Sequence, residues 1–486
     1  MGSARVIALG LLMIVCVCLS PDQLKTGSLQ AHERPNILFI LTDDQDAGSI
    51  SEMPNVRSRL VERGTTFERA YATTPLCCPS RTSILRGQYA HNHEVWDNKA
   101  PEGGFRGFQE LGLEDSTVAT WLDDAGYHTG FIGKYLNEYG DYEDPTTHVP
   151  PGWDRWIGFE GGPEAQHTRG AFKVNDQGKV ARIEAVTGYD TDYFARKAEA
   201  YIENRKAGKP WFLMVATNAP HVPTDATARN DNAYAGQTMP KTPSFNEADL
   251  SDKAAIWRDN AKLSEECPPD GRPKEHGENL RCVPEADEAW RDRMESLRDV
   301  DDMVEGLLSA LREKGFAENT YVVFASDNGF ALYQNRIFSK GAPYEPSQRI
   351  PFVVRGPGVP EGRGDHRLVA NIDFAPTFAQ WAGAKAPDFV DGRSLVPVLN
   401  NPDVPWRTRL LFEHRLGDHD FNAVRTNAER VYIEYPLTDE TEYYDLTKDP
   451  YQLHGQAETP PPRLEGRLRD LVRCAGAGCR AADGGP

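Results

Sequence analysis

The residues best suited to chemistry in this chain lie between positions 73 and 87, where Cys77 and Cys78 stand side by side. Pro79 follows them, and the first turn of a helix accepts a proline. Cys77 would therefore lie just before a helix N-terminus, where free N–H groups favour an anion. Arg81 would direct its guanidinium to the same place. Two alternatives remain open: adjacent cysteines can be disulfide partners, and an arginine on a first helical turn is often merely solvated.

Oxygen-bearing side chains follow two apolar runs of strand length. Continuous runs of this kind are typical of strands that are buried on both faces. The runs are residues 35–41 and 321–325, and the side chains that follow them are Asp43, Asp44, Asp327 and Asn328. Carboxylates at the end of a buried strand are costly unless a cation neutralises them. We therefore predict a hard cation bound through oxygen ligands, and the alternative is a helix cap with solvated neighbours.

Two further polar residues follow other predicted strands. Lys134 comes at the end of a short strand that starts near residue 127, and His221 lies in a loop after the apolar run 211–216. The carboxyl ends of parallel strands share one edge of a sheet, so Lys134 is expected to face the same crevice as the aspartates. A lone lysine is often solvated, however, and a histidine between two prolines is often a polar cap.

Length and charge restrict the class of protein. A chain of 486 residues is too long for one small core and indicates two domains. Its formal net charge of −19 argues against a protein that binds nucleic acid or a membrane surface. The same charge fits poorly with a polyanionic substrate. Any site for an anion must therefore be a local cationic pocket in an acidic shell.

The N-terminus resembles an export signal. Arg5 precedes an apolar run at residues 6–19, which is too short to span a bilayer but suits the core of a signal peptide. Cleavage near Ala31 would make residues 1–31 the signal peptide, so we expect a secreted protein without stable membrane association. A lipid anchor at Cys18 is the less favoured alternative. The absence of any Asn-x-Ser/Thr acceptor favours a bacterial product.

The remaining cysteines form two plausible disulfides. Cys267 and Cys282 bracket a loop rich in proline, glycine and charge, and Cys474 and Cys479 close a tight turn. Both pairs are typical of disulfides in an oxidising compartment. A disulfide between the two adjacent cysteines would be strained. This pairing leaves Cys77 free for other chemistry.

Buried strands that alternate with helices predict an α/β sandwich with its chemistry at the carboxyl ends of the strands. A long amphipathic helix is predicted at residues 291–314. After residue 383 the composition shifts, and short alternating strands at 409–413, 430–435 and 442–446 precede a helix at 462–472. We predict a catalytic domain at residues 32–385 and a small C-terminal α+β domain with an antiparallel sheet at 386–486.

The segment from Cys77 to Arg81 reads Cys-Cys-Pro-Ser-Arg and resembles the Cys-x-Pro-x-Arg signature of the type I sulfatases. Residues 87–93 and 133–140 resemble the group that contains the N-acetylglucosamine-6-sulfatases. The resemblance implies an alkaline-phosphatase-like sandwich with a large mixed, mostly parallel sheet between helices. It also implies that a formylglycine-generating enzyme oxidises Cys77 to Cα-formylglycine, whose hydrate attacks sulfur and then expels sulfate.

The resemblance further implies a role for each candidate residue. One Ca²⁺ would be held by Asp43, Asp44, Asp327, Asn328 and an oxygen of the formylglycine at Cys77. Charge that develops on the sulfate would be offset by Arg81, Lys134 and Lys340, and His221 would bind the sulfate or protonate the leaving oxygen. The chain departs from common relatives at Leu136 and Asn335, which replace histidines, and at Tyr333, which replaces a glycine.

The expected function is hydrolysis of sulfate monoesters, on glycans of the N-acetylglucosamine 6-sulfate type or on aryl sulfates. Contacts to the sugar are expected from the loops around His91, Asn137 and residues 333–336. Two other functions stay open on the sequence. One is hydrolysis of phosphomonoesters or phosphonates on the same scaffold, and the other is non-catalytic binding of sulfated glycans if Cys77 is never converted.

Overall fold

The structure is a computed structural model that describes residues 1–2, 34–140, 146–160, 170–184, 189–268, 280–415, 417–455 and 460–485. Nearly all of the predicted signal peptide lies outside these residues. Within the described part of the chain, no helix has the length and apolar character needed to cross a membrane. Residues from Arg34 onward pack as one compact unit, and the boundary between 385 and 386 stays a prediction.

Eighteen strands form one large sheet, one small sheet and two short ribbons in the described chain. They are β1 (Asn36–Thr42), β2 (Thr65–Phe67), β3 (Ala70–Tyr71), β4 (His128–Gly133), β5 (Arg155–Phe159), β6 (Phe172–Asp176), β7 (Lys179–Ile183), β8 (Trp211–Ala216), β9 (Thr320–Ser326), β10 (Ala331–Gln334), β11 (Ile337–Ser339), β12 (Phe352–Arg355), β13 (Arg363–Asp365), β14 (Val369–Ala370), β15 (Arg409–His414), β16 (Phe421–Thr426), β17 (Arg430–Tyr435) and β18 (Glu440–Asp445).

The large sheet has the order β13-β2-β12-β9-β1-β8-β4-β5-β6-β7. Its central strands β9, β1, β8, β4 and β5 are parallel to one another, whereas β12, β6 and β7 pair antiparallel with their neighbours. Every residue of β1 and β8 is buried. This confirms that the apolar runs are strands covered on both faces. The predicted mixed, mostly parallel sheet is therefore present.

Helices cover both faces of this sheet, as the sandwich prediction requires. They are α1 (Pro54–Val56), α2 (Cys77–Arg86), α3 (Ala90–His93), α4 (Gly104–Glu110), α5 (Val118–Asp124), α6 (Asp190–Glu203), α7 (Ala255–Arg258), α8 (Val283–Glu313), α9 (Glu345–Gln348), α10 (Phe374–Ala382), α11 (Val396–Asn400), α12 (Arg463–Leu471) and α13 (Ala477–Ala482). One apolar core contains residues of α6 and α8, and a second core contains residues of α2, α5 and α10.

The long helix begins earlier than predicted. It starts at Val283, directly after a disulfide cysteine and with a proline in its first turn, rather than at residue 291. The first turns carry several charged residues among their buried ones, which hid the apolar periodicity. The start at residue 291 was therefore wrong, although the helix itself is confirmed.

The C-terminal sheet is antiparallel, in the order β15-β16-β17-β18. The three predicted strands correspond to β15, β17 and β18, and the predicted terminal helix corresponds to α12. Strand β16 was not predicted, because Asn422, Arg425 and Thr426 break its apolar pattern although Arg425 and Thr426 are buried. Together these elements form the small antiparallel-sheet region.

Both predicted disulfides are present, and Cys77 and Cys78 are free. We expect a Cys267→Ser, Cys282→Ser double variant to lose about 3 kcal/mol of unfolding free energy, because the bridge closes a loop of 15 residues in the unfolded chain. Urea unfolding measures this loss. The kcat on an aryl sulfate is expected to stay within about two-fold, and a large fall in kcat in the folded variant would contradict a purely structural role.

Candidate active site

The candidate site lies where four neighbouring parallel strands end. Strands β9, β1, β8 and β4 are adjacent in that order, so the loops after them meet at one edge of the sheet. Asp43 and Asp44 follow β1, Asp327 follows β9, and Lys134 follows β4 directly. The backbone N–H of Asp44 donates to Oδ1 of Asp327 across 3.1 Å. The sheet topology therefore brings the predicted ligands together.

Buried oxygens form the centre of the site. Asp43, Asp44, Asp327 and Asn328 are all fully buried. Nδ2 of Asn328 donates to Oδ1 of Asp44 at 2.6 Å, while Oδ1 of Asn328 has no partner among the described residues. An amide oxygen left free beside three carboxylates is a donor set that suits a hard cation. These residues fit a calcium ion better than zinc, which prefers nitrogen and sulfur ligands.

Cys77 lies against this oxygen cluster. Its Sγ is 3.5 Å from Oδ1 of Asp43 and 3.9 Å from Oδ1 of Asp44. Together with His221 these residues offer ligand atoms that all lie within 4.8 Å of one another. Burial and the charge of Asp43 raise the pKa of the Cys77 thiol. An unmodified Cys77 is therefore a neutral thiol and a poor nucleophile.

Three cations surround the cluster. Nε of Arg81 donates to Oδ2 of Asp327 at 2.8 Å, and Nζ of Lys134 contacts Oδ2 of Asp43. Nζ of Lys340 lies 2.6 Å from Oδ1 of Asp44 and 2.8 Å from Sγ of Cys77. These contacts form the local cationic pocket that an anion would need inside an acidic chain.

The carboxylates differ in how well these cations offset their charge. Burial would raise the pKa of Asp43, but the charges of Lys134 and Arg81 hold it well below its usual value. For Asp327, burial and the nearby charge of Asp43 outweigh Arg81 and raise the pKa to about 6. A divalent cation beside Asp327 would favour its ionised form. The electrostatics of the cluster thus fit a bound metal.

His221 closes the site from the loop after β8. Its Nε2 lies 3.6 Å from Oδ2 of Asp44, and its Nδ1 lies 2.5 Å from the carbonyl oxygen of Val222. Burial and the charge of Lys340 lower the pKa of the ring to about 3. Because Nδ1 can reach Val222 only as a donor, Nε2 is the ring atom that faces the cluster.

Helix α2 presents the cysteine motif. The helix begins at Cys77 itself, with Leu76 as the N-cap, so Cys77 is the first helical residue and not the one before it. The N–H of Cys78 donates to Oδ1 of Asn98 at 2.8 Å. The Sγ of Cys78 belongs to the apolar core on that face of the sheet. The two cysteines therefore have different surroundings.

Each position that departs from relatives has its own partners in the fold. Leu136 is buried in an apolar core. The hydroxyl of Tyr333 donates to the carbonyl oxygen of Leu280 at 2.8 Å, and Nδ2 of Asn335 donates to Oε2 of Glu247 at 3.0 Å. Both residues are buried. In the described chain these two side chains bind neighbouring segments, and the expectation that residues 333–336 contact a sugar stays a prediction.

Arg293 is a residue of the site that the sequence reasoning missed. It projects from α8, is fully buried, and donates to the carbonyl oxygens of Pro220 at 2.8 Å and Asp44 at 2.5 Å. It thereby ties the loop of His221 to the loop of the aspartates. Arg293 lies four residues before Leu297, on the apolar face of the helix. A cation on that face was the signal that could have revealed it.

An oxygen cluster that suits a metal ion, surrounded by one buried and two largely buried cations at the carboxyl edge of a parallel sheet, is typical of a hydrolase for anionic esters. The profile of the sulfatase family matches residues 35–384, and one described as N-sulphoglucosamine sulphohydrolase, C-terminal, matches residues 334–463. The chain belongs to the sulfatase family and is a sulfuric ester hydrolase.

Individual relatives agree with this assignment. An N-acetylglucosamine-6-sulfatase of Capra hircus is 30% identical over 500 residues, covering 94% of this chain and 86% of the relative. A solved structure in complex with its substrate D-glucosamine-2-N,6-O-disulfate is 25% identical with a TM-score of 0.75, covering 90% of this chain and 97% of that one. A phosphonate monoester hydrolase from Silicibacter pomeroyi shares the fold, with 21% identity, a TM-score of 0.66 and coverage of 90% and 94%.

Proposed function

We propose that this protein hydrolyses sulfate monoesters of N-acetylglucosamine 6-sulfate-type glycans and aryl sulfates, with formylglycine at position 77 as the nucleophile and one Ca²⁺ as cofactor. The observation that carries the proposal is the position of Cys77, whose Sγ lies between Asp43 at 3.5 Å and Lys340 at 2.8 Å. Addition of water to the aldehyde of a formylglycine there would give a hydrate with a hydroxyl group beside both a metal ligand and a cation. Conversion requires a formylglycine-generating enzyme in the host.

Asp43, Asp44, Asp327, Asn328 and the oxygen at position 77 would hold the calcium. When bound, the ion polarises the sulfate and favours the ionised nucleophile. Within the protein itself, Asp44 is aligned by Asn328 and by Arg293, which binds its carbonyl oxygen. The ligand geometry is therefore supported from two sides before any ion binds.

The cations and His221 would act on the ester itself. Arg81, Lys134 and Lys340 lie around the cluster and offset negative charge that develops on the sulfate oxygens. Nε2 of His221 faces the same space. With Nδ1 donating to Val222, Nε2 of the neutral ring is an acceptor. It would have to take up a proton, which the negative charge of a bound sulfate would favour, before it could bind a sulfate oxygen or protonate the leaving oxygen.

One other reaction shares the scaffold, namely hydrolysis of phosphate or phosphonate esters, and the solved phosphonate hydrolase has the same fold. The proposed ligands account for one metal ion, whereas a second metal would favour phosphate chemistry. Rates on 4-nitrophenyl sulfate and 4-nitrophenyl phosphate separate the two reactions. We expect the sulfate to be the better substrate, and a higher kcat/KM on the phosphate would overturn the proposal.

We also propose export, cleavage after residue 31, and a catalytic domain at residues 32–385 followed by the C-terminal domain at 386–486. The apolar run at residues 6–19 and the two disulfides support export, because disulfides persist in oxidising compartments. N-terminal sequencing of the secreted protein tests the cleavage point. A mature chain that still begins at Met1 would contradict it.

Sugar preference is a separate expectation. We expect a higher kcat/KM on N-acetylglucosamine 6-sulfate than on galactose or iduronate sulfates, by about ten-fold, because a primary sulfate is open and discrimination rests on contacts to the ring. Small aryl sulfates should also be hydrolysed, since they need little beyond the sulfate pocket. Parallel rate measurements decide the matter. Equal or lower efficiency on the glucosamine sulfate would indicate a generalist arylsulfatase.

A further inference from the structure

Glu442 is a buried carboxylate on β18 of the C-terminal sheet, and it takes no part in the chemistry proposed above. In the part of the chain that the structure describes, it forms no ion pair and is held by hydrogen bonds instead. The donors are the hydroxyl groups of Tyr344 at 3.1 Å, Tyr435 at 3.0 Å and Tyr444 at 2.6 Å, and the N–H of Ala254 at 2.7 Å. A buried polar network in which the members are all bonded fixes the positions of the groups that it joins.

Tyr344 is the donor that belongs to an active-site loop. It lies four residues after Lys340, and the three residues between them are buried. Nζ of Lys340 bonds Oδ1 of Asp44 at 2.6 Å and Sγ of Cys77 at 2.8 Å. The loop is therefore anchored on the C-terminal sheet at Tyr344 and reaches the proposed nucleophile at Lys340.

The C-terminal sheet meets the same loop at a second point. The ring of His414, at the end of β15, lies so close to Gly341 that a Cβ there would be 3.1 Å from Nε2. The φ angle of Gly341 is +81°, which favours glycine. Its N–H donates to the carbonyl oxygen of Pro75 at 2.8 Å, two residues before Cys77. Two strands of the C-terminal sheet thus hold this loop against the cysteine motif.

Tyr344 is also connected to the loop that follows β9. It is the N-cap of α9, and its carbonyl oxygen accepts the N–H of Ser347 at 3.1 Å. The carbonyl oxygen of Ser347 accepts the N–H of Gly329 at 3.0 Å, and Gly329 directly follows the proposed metal ligand Asn328. A shift of Tyr344 would therefore be felt at Lys340 and at the metal site.

We propose that Tyr344 and Glu442 are positioning residues that set the place of Lys340 beside the nucleophile. The inference rests on the proposed function, in which Lys340 offsets charge on the sulfate, and it adds a role for the C-terminal sheet. Lysine carries its charge on a flexible four-carbon chain, so the place that the ammonium group reaches depends on where the loop backbone is fixed. A displacement of about 1 Å can cost about 10²-fold in rate.

Tyr344→Phe tests the bond, because it removes the hydroxyl group and keeps the ring. The kcat on 4-nitrophenyl sulfate should fall about ten-fold while KM stays within about two-fold, since Lys340 acts on charge that develops in the transition state. Tyr444→Phe is the matched control. It removes a shorter bond to the same carboxylate, but from a residue of β18, and its kcat should stay within about two-fold of wild type.

The two variants separate positioning from simple stabilisation. Both should lower the urea midpoint of unfolding by similar amounts, because each loses one hydrogen bond to Glu442. An equal fall of kcat in both variants would mean that the loss of stability causes it, and this overturns the inference. A wild-type kcat in Tyr344→Phe overturns it as well.

A double-mutant cycle tests the part played by Glu442. Glu442→Gln should also lower kcat about ten-fold, and adding Tyr344→Phe to it should lower kcat by less than a further two-fold, because both changes act through one bond. Losses that multiply in the double variant would show that the two residues act independently, and they contradict the proposal.

Hydrogen exchange tests the position of the loop without any turnover. Peptides that contain Gly341 should exchange faster in Tyr344→Phe than in wild-type protein, and at the wild-type rate in Tyr444→Phe. Equal exchange in Tyr344→Phe and wild type overturns the inference. Failure of the proposed function is seen separately, as absence of aryl sulfate hydrolysis by wild-type protein, and the exchange rates then decide whether Tyr344 fixes the loop.

Discussion

A Cys77→Ala variant should show no sulfatase turnover above background, a fall in kcat of about 10⁴-fold or more. Alanine cannot be oxidised to an aldehyde, so the site would lose its only proposed nucleophile. The variant removes only the contacts of Sγ with Asp43 and Lys340. The other cations and carboxylates of the site should therefore keep their positions. Release of 4-nitrophenol from 4-nitrophenyl sulfate measures the loss, and circular dichroism checks that the variant folds.

Cys78→Ala is the matched control. Cys78 is also fully buried, but it packs in the apolar core, where burial raises the pKa of its thiol to about 12. Its removal should cost about 1 kcal/mol of stability through a small cavity and should leave most of the turnover. If activity survived in Cys77→Ala but not in Cys78→Ala, the nucleophile would be Cys78, and the assignment to Cys77 would be wrong.

An Asp327→Asn variant should lose both calcium and activity, with kcat lowered by about 10²-fold or more. The substitution keeps the shape of the side chain but removes a charge that the ion needs, and it weakens the bond from Nε of Arg81 at 2.8 Å. Elemental analysis of the purified protein measures bound calcium. Adding calcium after chelation should restore the activity and the melting temperature of wild-type protein, and restore little in the variant.

Asp46→Asn controls for charge near the site. Asp46 also follows β1, but its Oδ1 accepts the N–H of Ser49 at 3.0 Å and caps a short helix. Asparagine is an equally good cap, so stability and calcium content should change little. Stoichiometric zinc without calcium or magnesium in wild-type protein would refute the metal assignment. So would full activity of Asp327→Asn.

Much of the fold could be predicted because the strands are encoded by short, continuous stretches of sequence. The buried strands β1, β8 and β9 are continuous apolar runs, and the polar residues that end them fall at one edge because parallel strands share that edge. Lys134 and the aspartates could be placed together on this basis, whereas Cys77 was placed beside them only through the resemblance to the sulfatases. The two disulfides followed from spacing and compartment alone.

The remaining features depend on contacts between segments that are distant in the sequence. Arg293 was hidden in an amphipathic helix, and only the tertiary structure shows that it caps carbonyl oxygens of two active-site loops. Tyr333 and Asn335 looked like residues of a substrate mouth, yet they bind Leu280 and Glu247. One cavity is lined by Trp96, Arg415 and Arg473, from three segments that no periodic pattern links.

The central claim is that Cys77 becomes formylglycine, and the mass of one peptide tests it most directly. Trypsin should release residues 70–81 of active, secreted protein, because Arg69 and Arg81 flank the cysteine pair. The account predicts a peptide in which an aldehyde replaces the CH₂–SH group of residue 77, while Cys78 remains alkylatable. Fragment ions that place the modification on Cys78, or a Cys77–Cys78 disulfide in fully active protein, would contradict it.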